Sequence, residues 1–225
     1  MKTSGCTIVS EFSRPPRELV ESFRNIPVAN IDDAMNRLAA VNASIRPLNN
    51  KPLLGTAFTV KVSEGDNLMF HKAMDMAQPG DIIVIDARGD VSRAIFGELM
   101  ISYCVERKIA GVIVDGAVRD AEALAEMDIA IYARGISPNG PYKNGPGEIN
   151  LPISFGGQVV RPGDIILGDN DGIIVVRPEE AEIILAMTRE IEAKEADIMT
   201  RIRNEKNYIR PWVDEKLKEL NCDYR

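Results

Sequence analysis

The sequence holds one histidine and three cysteines in 225 residues, carries no excess of positive charge, and contains no long uncharged apolar run. Each scarcity removes a class of chemistry. With no second histidine and no cysteine near it, His71 leaves a zinc site built from nitrogen and sulfur ligands hard to assemble. A histidine-based catalytic triad would have to rest on His71 alone. Its ordinary pKa suits proton transfer, but its place one helical turn after Asn67 reads as a packing or hydrogen-bonding role. Cys6, Cys104 and Cys222 are odd in number and widely separated, so they read as reduced thiols outside any disulfide framework. Cys104 falls on the apolar side of a helix, where a small hydrophobe is the favoured reading over a nucleophile. The 27 Lys and Arg against 34 Asp and Glu give a net charge of -7. That balance argues against nonspecific binding to nucleic acid or to an anionic membrane, which rewards clustered cations. The first thirty residues lack a continuous apolar core, and nowhere is there an uncharged apolar span of about eighteen residues. A soluble cytoplasmic protein is the expectation.

What the chain has is an α/β pattern. Hydrophobic residues make up 45% of it, enough for one good core, and no linker divides it. Residues 1–177 are expected to form an α/β catalytic domain, and 178–225 a C-terminal helix and tail of the same unit. The organising stretch runs from Asp81 to Asp120. Asp81 to Asp86 and Ala110 to Val114 are short β-branched runs with the character of buried strands. Between them Ile95, Leu99, Met100, Tyr103, Cys104 and Ile109 recur at roughly helical spacing, which predicts a parallel strand-helix-strand crossover. Such units gather their loops at the C-terminal edge of the sheet, where open α/β folds bind ligands.

Two groups converge on that edge. Gly97-Glu98-Leu99-Met100 lies near the helix start, where amides without an intrahelical partner favour an anion. Arg119-Asp120 sets guanidinium donors suited to a carboxylate beside a hard oxygen ligand suited to magnesium or manganese. The plain alternative is an ordinary crossover whose Arg119 and Asp120 form a surface ion pair.

Elsewhere the pattern predicts helices near Arg17 to Arg24 and from Asn30 to Leu38, with Asn30 as cap and Asp32 and Asp33 in the first turn. A strand from Gly55 to Ser63 alternates so that Thr59, Lys61 and Ser63 share a polar, half-exposed face. Lys61 there could form a Schiff base, but a solvated lysine is the favoured reading. Asn67 to Met76 reads as a helix, Ala121 to Met127 as a short one, and Ile129 to Ala133 as a strand. Gly135 to Gly147 is rich in Gly, Pro and Asn and reads as a surface loop and candidate lid. Lys143 and Glu148 near its end are taken as solvated. Short strands follow at Ile153-Phe155, Gln158-Val160, Asp164-Leu167 and Gly172-Val176, and Asp169 and Asp171 mark a tight turn beside the pocket. From Pro178 a helix persists to about Asn207, with Ile183, Ile184, Met187, Ile191, Ile198 and Ile202 as its apolar stripe. Its length suggests contact with a neighbouring subunit.

An acid followed after twenty residues by Arg-Asp, here Glu98 and Arg119-Asp120, resembles the signature of the family that joins 4-hydroxy-4-methyl-2-oxoglutarate aldolases with the regulator of ribonuclease activity A proteins. Asn67-Leu68 with His71, Pro79-Gly80-Asp81, Asp115 to Asp120, Gly145 to Pro152 and Asp169 to Gly172 match in the same order. The likeness spans about Pro27 to Val176. It implies a swivelling β/β/α sandwich similar to phosphohistidine domains, and a divalent-metal-dependent lyase that cleaves 4-hydroxy-2-oxo diacids to release pyruvate. Oxaloacetate decarboxylation would be a further activity, since it passes through the same enolate. By the same resemblance Arg119 and the backbone of Gly97, Glu98, Leu99 and Met100 bind the substrate, Asp120 holds Mg2+ or Mn2+, and Glu98 manages a proton. Glu195 on the long helix would reach the active site of an adjacent subunit in a homotrimer or homohexamer. Many members carry Asp where this chain has Glu98, so its carboxylate stands about one bond length further out. The resemblance also implies an alternative, a non-enzymatic regulator that binds a ribonuclease.

Overall fold

The computed structural model describes residues 3–224. In chain order its elements are β1 (Thr7–Ile8), α1 (Arg17–Glu21), α2 (Val28–Ala34), β2 (Arg46–Pro47), β3 (Leu53–Val62), α3 (Leu68–Met76), β4 (Asp81–Asp86), β5 (Ala94–Phe96), α4 (Glu98–Glu106), β6 (Gly111–Val118), α5 (Ala121–Glu126) and β7 (Ala130–Ile136). There follow β8 (Gly147–Ile149), β9 (Ile153–Phe155), β10 (Gln158–Val160), β11 (Ile165–Gly168), β12 (Ile173–Val176), a 3-10 turn at Pro178–Glu180, α6 (Ala181–Glu205) and α7 (Pro211–Glu219).

Four parallel strands, β3-β4-β6-β7, form the middle of the main sheet and are joined through α3, α4 and α5. Every residue of β4 and β6 is buried, which explains why both read as continuous apolar runs. Alternate side chains serve two cores. Ile83, Ile85, Phe58, Val60, Val112 and Val114 pack with Phe70 and Cys104 on the helical face. Ile82, Val84, Ala57, Ile113 and Tyr132 pack on the other face against Phe155 and Val160 of the β9-β10 hairpin and against β11 and β12. The molecule is therefore a mixed α/β fold, layered β/β/α, with a long C-terminal helix.

Six sequence expectations need correction. The crossover before α4 contains an extra strand, β5, and Ile95 belongs to it. β6 continues through Asp115-Gly116 with a register shift between Val114 and Ala117, so the turn falls at Arg119-Asp120 instead. Gly116 permits this because a Cβ there would meet the Ala87 Cβ at 2.8 Å. Asn30 lies inside α2 and does not cap it. Pro27 precedes the helix, and the Val28 amide donates to Asp169 Oδ2 at 3.1 Å, so the Asp169 turn serves α2 and is not on the wall of the cavity described below. Thr59 is fully buried, its hydroxyl donating to the Leu151 carbonyl at 2.7 Å, which leaves only Lys61 exposed on the side predicted to be polar. On α6 the face packed on the body is Ala181, Ile184, Leu185 and Thr188, whereas Ile183 and Met187 are exposed. No helix among the described residues is long and apolar enough to cross a membrane.

Ile85 makes the packing testable, because it is fully buried in the helical-face core. Ile85→Ala is expected to lower unfolding stability by about 2–5 kcal/mol in denaturant titration; a loss below about 1 kcal/mol would contradict a close-packed sheet.

Candidate active site

The C-terminal ends of β4, β6 and β7 and the start of α4 meet as the topology requires. β5 pairs with the end of β6, and the Arg119 amide donates to the Phe96 carbonyl at 3.0 Å. Arg119-Asp120 is thereby held against Gly97-Glu98. Asp120 adopts a left-handed conformation (φ 57°, ψ 40°) and immediately precedes α5, yet it caps α4: its Oδ2 accepts the Glu98 amide at 3.0 Å. Gly97 makes this contact possible. A Cβ at that position would sit 2.2 Å from Asp120 Oδ2 and 2.9 Å from Arg119 Cγ, far inside van der Waals contact. Arg119 Nε stands 3.6 Å from the same carboxylate oxygen. The next amides of α4, on Leu99 and Met100, are first-turn donors without intrahelical acceptors.

Gly97, Leu99, Met100, Arg119 and Asp120 line one cavity of about 350 Å³. Its opposite wall is made by Asn67 and His71 of α3 and by Gly140, Pro141 and Lys143 of the loop after β7. Arg119 Nη1 lies 3.5 Å from the Cβ position of Gly140, so the guanidinium reaches the loop after β7. Asn67, buried at the start of α3, donates from Nδ2 to the Ile95 carbonyl at 2.9 Å while its Oδ1 has no partner. His71 is exposed on the rim, and its pKa lies below the usual 6.5, first because burial disfavours the cation and second because the Lys143 ammonium repels it; Asp75 opposes both. His71 thus stands on the cavity wall as a neutral imidazole at neutral pH, not as the packing residue expected from spacing. Lys143 is exposed, as expected, and also lines this cavity.

The donor set bears on a metal. Among the described residues no three His, Cys, Asp or Glu side chains converge as a metal-binding group, so a closed protein cage does not fit. A hydrated magnesium ion does, because magnesium keeps several waters and takes one or two carboxylates together with substrate oxygens. Asp120 has one oxygen committed to the Glu98 amide, and among the described residues the other accepts no hydrogen bond.

The remaining expected residues are dispersed. Glu98 contributes its backbone amide to the site, while its side chain is exposed and absent from the cavity wall. Glu195, on the outer part of α6, accepts a hydrogen bond from Asn30 Nδ2 at 2.6 Å and is likewise absent from the wall within this chain. Lys61 is exposed and 3.5 Å from Glu148, its cross-strand neighbour. Cys104 is buried in the core, with its thiol pushed up to about 12 by burial, as suits a packing residue.

The model of the family described as "RraA-like: Aldolase/RraA" matches residues 28–175. The chain belongs to the RraA-like family. A relative from Halalkalibacterium halodurans, provisionally named 4-hydroxy-4-methyl-2-oxoglutarate aldolase, is 43% identical over 187 residues, covering 83% of this chain and 88% of its own length. Among solved structures, an uncharacterized protein from Pseudomonas syringae pv. tomato superposes with a TM-score of 0.77 over 86% of this chain and 92% of that one; at 21% identity it speaks for the fold alone. The RNA-processing inhibitor RraA from Thermus thermophilis gives a TM-score of 0.62 at 27% identity, over 67% of this chain and 92% of that one. The RraA-like match begins at α2 and ends within β12, so it spans the whole cavity but stops short of α6 and α7.

As the sole histidine, His71 can be followed by its ring-proton NMR signals alone. Its midpoint is expected below 6.5 and is expected to rise in Lys143→Met, since one repelling charge is removed. A midpoint above 6.5 that ignores Lys143 would place the ammonium elsewhere. Because the folded-state pKa is depressed, protonating His71 opposes folding, so its contribution to stability is present above pH 6.5 and is lost as pH falls below that value.

Proposed function

We propose that this chain is a cytoplasmic, divalent-metal-dependent lyase that cleaves a 4-hydroxy-2-oxo diacid, such as 4-hydroxy-4-methyl-2-oxoglutarate, to pyruvate and a second keto acid. The observation that carries the reading is the shared cavity lined by Arg119, the start of α4 and Asp120, whose Oδ2 is tied to that helix start.

Cleavage of such a substrate needs an anchor for the 2-oxo carboxylate, stabilisation of an enolate, and an acceptor for the 4-hydroxyl proton. Arg119 and the Leu99 and Met100 amides supply the anchor, combining planar guanidinium donors with the positive end of a helix. Asp120 would hold Mg2+ or Mn2+ by its uncommitted oxygen. A bound divalent ion polarises the keto oxygen and stabilises negative charge there. Arg119 and Lys143 give the cavity two cations, a complement for a substrate with two carboxylates. For the proton, His71 is neutral and on the wall, whereas Glu98 would act through water from outside it. Glu195 enters only in an oligomer, a homotrimer or homohexamer in which the outer part of α6, with Met199 exposed beside it, reaches a neighbouring site. Oxaloacetate, which yields the same enolate on losing carbon dioxide, is a second substrate of this site.

The structural likeness to an RNA-processing inhibitor supports a second reading, a protein that binds a ribonuclease without chemistry. It gives no reason for a glycine, an arginine and an aspartate to be packed around one cavity.

Purified protein with magnesium is expected to release pyruvate from 4-hydroxy-4-methyl-2-oxoglutarate, measured by coupling to lactate dehydrogenase, and carbon dioxide from oxaloacetate. EDTA should abolish both, and Arg119→Ala should cost at least about 100-fold in kcat/KM. Full activity in EDTA, or in Arg119→Ala, would refute the reading. His71→Gln is expected to lower kcat by about 10²–10⁴; if Glu98→Gln does so and His71→Gln does not, the proton belongs to Glu98.

A further inference from the structure

The loop after β7 has the composition of a mobile lid, yet it is fixed to the start of α3 by one carboxylate. Asp66 is 3% exposed. Its Oδ1 accepts the Leu68 amide at 2.9 Å, at the start of α3, and its Oδ2 accepts the amides of Asn144 at 2.6 Å and Gly145 at 3.0 Å. Three backbone donors on one carboxylate are charge-assisted and stronger than bonds between neutral groups. The segment before them is held independently. The Tyr142 amide donates to the Gly65 carbonyl at 2.8 Å, the Asn67 amide donates to the Tyr142 carbonyl at 3.0 Å, and Arg93 lies over the Tyr142 ring at 4.2 Å while donating to the Gly140 carbonyl at 2.9 Å. Lys143 sits between these two anchors. Lys143 is exposed and lines the cavity, so fixing the backbone on either side of it limits the region that its flexible four-carbon stem can sweep.

We infer that Asp66 is a positioning residue for substrate selection: by fixing Asn144 and Gly145 to the start of α3, it keeps Lys143 at the cavity that Arg119 also lines, where its ammonium pairs with the distal carboxylate of a 2-oxo diacid. This rests on the aldolase reading for the identity of the substrate but not for its geometry. The same carboxylate ties the loop that carries Lys143 to the start of α3, the helix that carries His71. Asp66→Asn preserves the shape but replaces one acceptor oxygen with an NH2 that confronts amide donors. Arg93 and the Tyr142 bonds would keep the loop in place as a whole, leaving Lys143 loosened at its C-terminal side.

The test uses two unreactive probes in magnesium buffer, 2-oxoglutarate, which carries the second carboxylate, and pyruvate, which does not. Isothermal titration of the wild type is expected to give tighter binding of 2-oxoglutarate than of pyruvate. Asp66→Asn should weaken 2-oxoglutarate about ten-fold and leave pyruvate within two-fold, and Lys143→Met should give the same split. Equal weakening of both probes, no preference in the wild type, or unchanged 2-oxoglutarate binding in Asp66→Asn overturns the inference. Should Asp66→Asn fold poorly, hydrogen exchange of the wild type decides: the Asn144 and Gly145 amides are expected to be protected, and exchange at the rate of an open loop overturns the clamp. A wild type that releases no pyruvate refutes the aldolase reading and leaves both measurements standing.

Discussion

The bond from the Glu98 amide to Asp120 Oδ2, over a glycine with no side chain to obstruct it, is the constraint on which the site depends. It places a carboxylate against the positive end of α4, which would by itself make a weak and unselective anion site. That bond ties the Asp120 carboxylate to α4, and the bond from the Arg119 amide to the Phe96 carbonyl fixes the backbone from which the guanidinium extends. An acid and a guanidinium adjacent in sequence ordinarily pair with each other on a surface. Here the pair does form, half-exposed and with 3.6 Å between Nε and Oδ2, and the longer contact leaves guanidinium donors for a third partner.

The surrounding fold makes that arrangement rigid. β4 and β6 are buried on both faces, so the loops leaving their C-terminal ends start from fixed points. β5 is a short addition to β6, but it ties Phe96 to Arg119 and delivers Gly97 to the start of α4. The opposite wall is built differently, from a Gly- and Pro-rich loop whose order comes from Asp66, Arg93 and Tyr142. The result is a small cationic recess in a chain of net charge -7, where Arg119 and Lys143 outnumber Asp120 and attract anions that the rest of the surface repels.

Much of this was legible in the sequence because burial on both faces leaves a strong mark. Asp81 to Asp86 could hardly be anything but an interior strand, and Gly97 beside a polar helix start announced an approach by another group. Where two features compete for the same signal, the sequence misled. Asn30 has the chemistry of a cap, but Pro27 fixes the chain one residue before α2 begins, and a distant residue, Asp169, meets the first amide. Asp115-Gly116 looks like a turn, but it is a register shift in a continuing strand. On α6, Ile183 and Met187 fit an apolar stripe by spacing, and only the position of the body decides that Ile184 and Leu185 are the residues covered. Lys143 and His71 were harder to read, since a lysine in a polar loop and a lone histidine on a helix are usually solvated or packed. The legible clue was Asp66, an acid just ahead of a helix start, though its second set of partners lies almost eighty residues away.

The measurement that goes most directly to the account is a crystal structure of the protein with magnesium and pyruvate. The account predicts the pyruvate carboxylate within hydrogen-bond distance of the Arg119 guanidinium and of the Leu99 or Met100 amide, with the ion on the oxygen of Asp120 that Glu98 leaves free. Pyruvate bound away from α4, or Asp120 released from the Glu98 amide with no ion beside it, would contradict it.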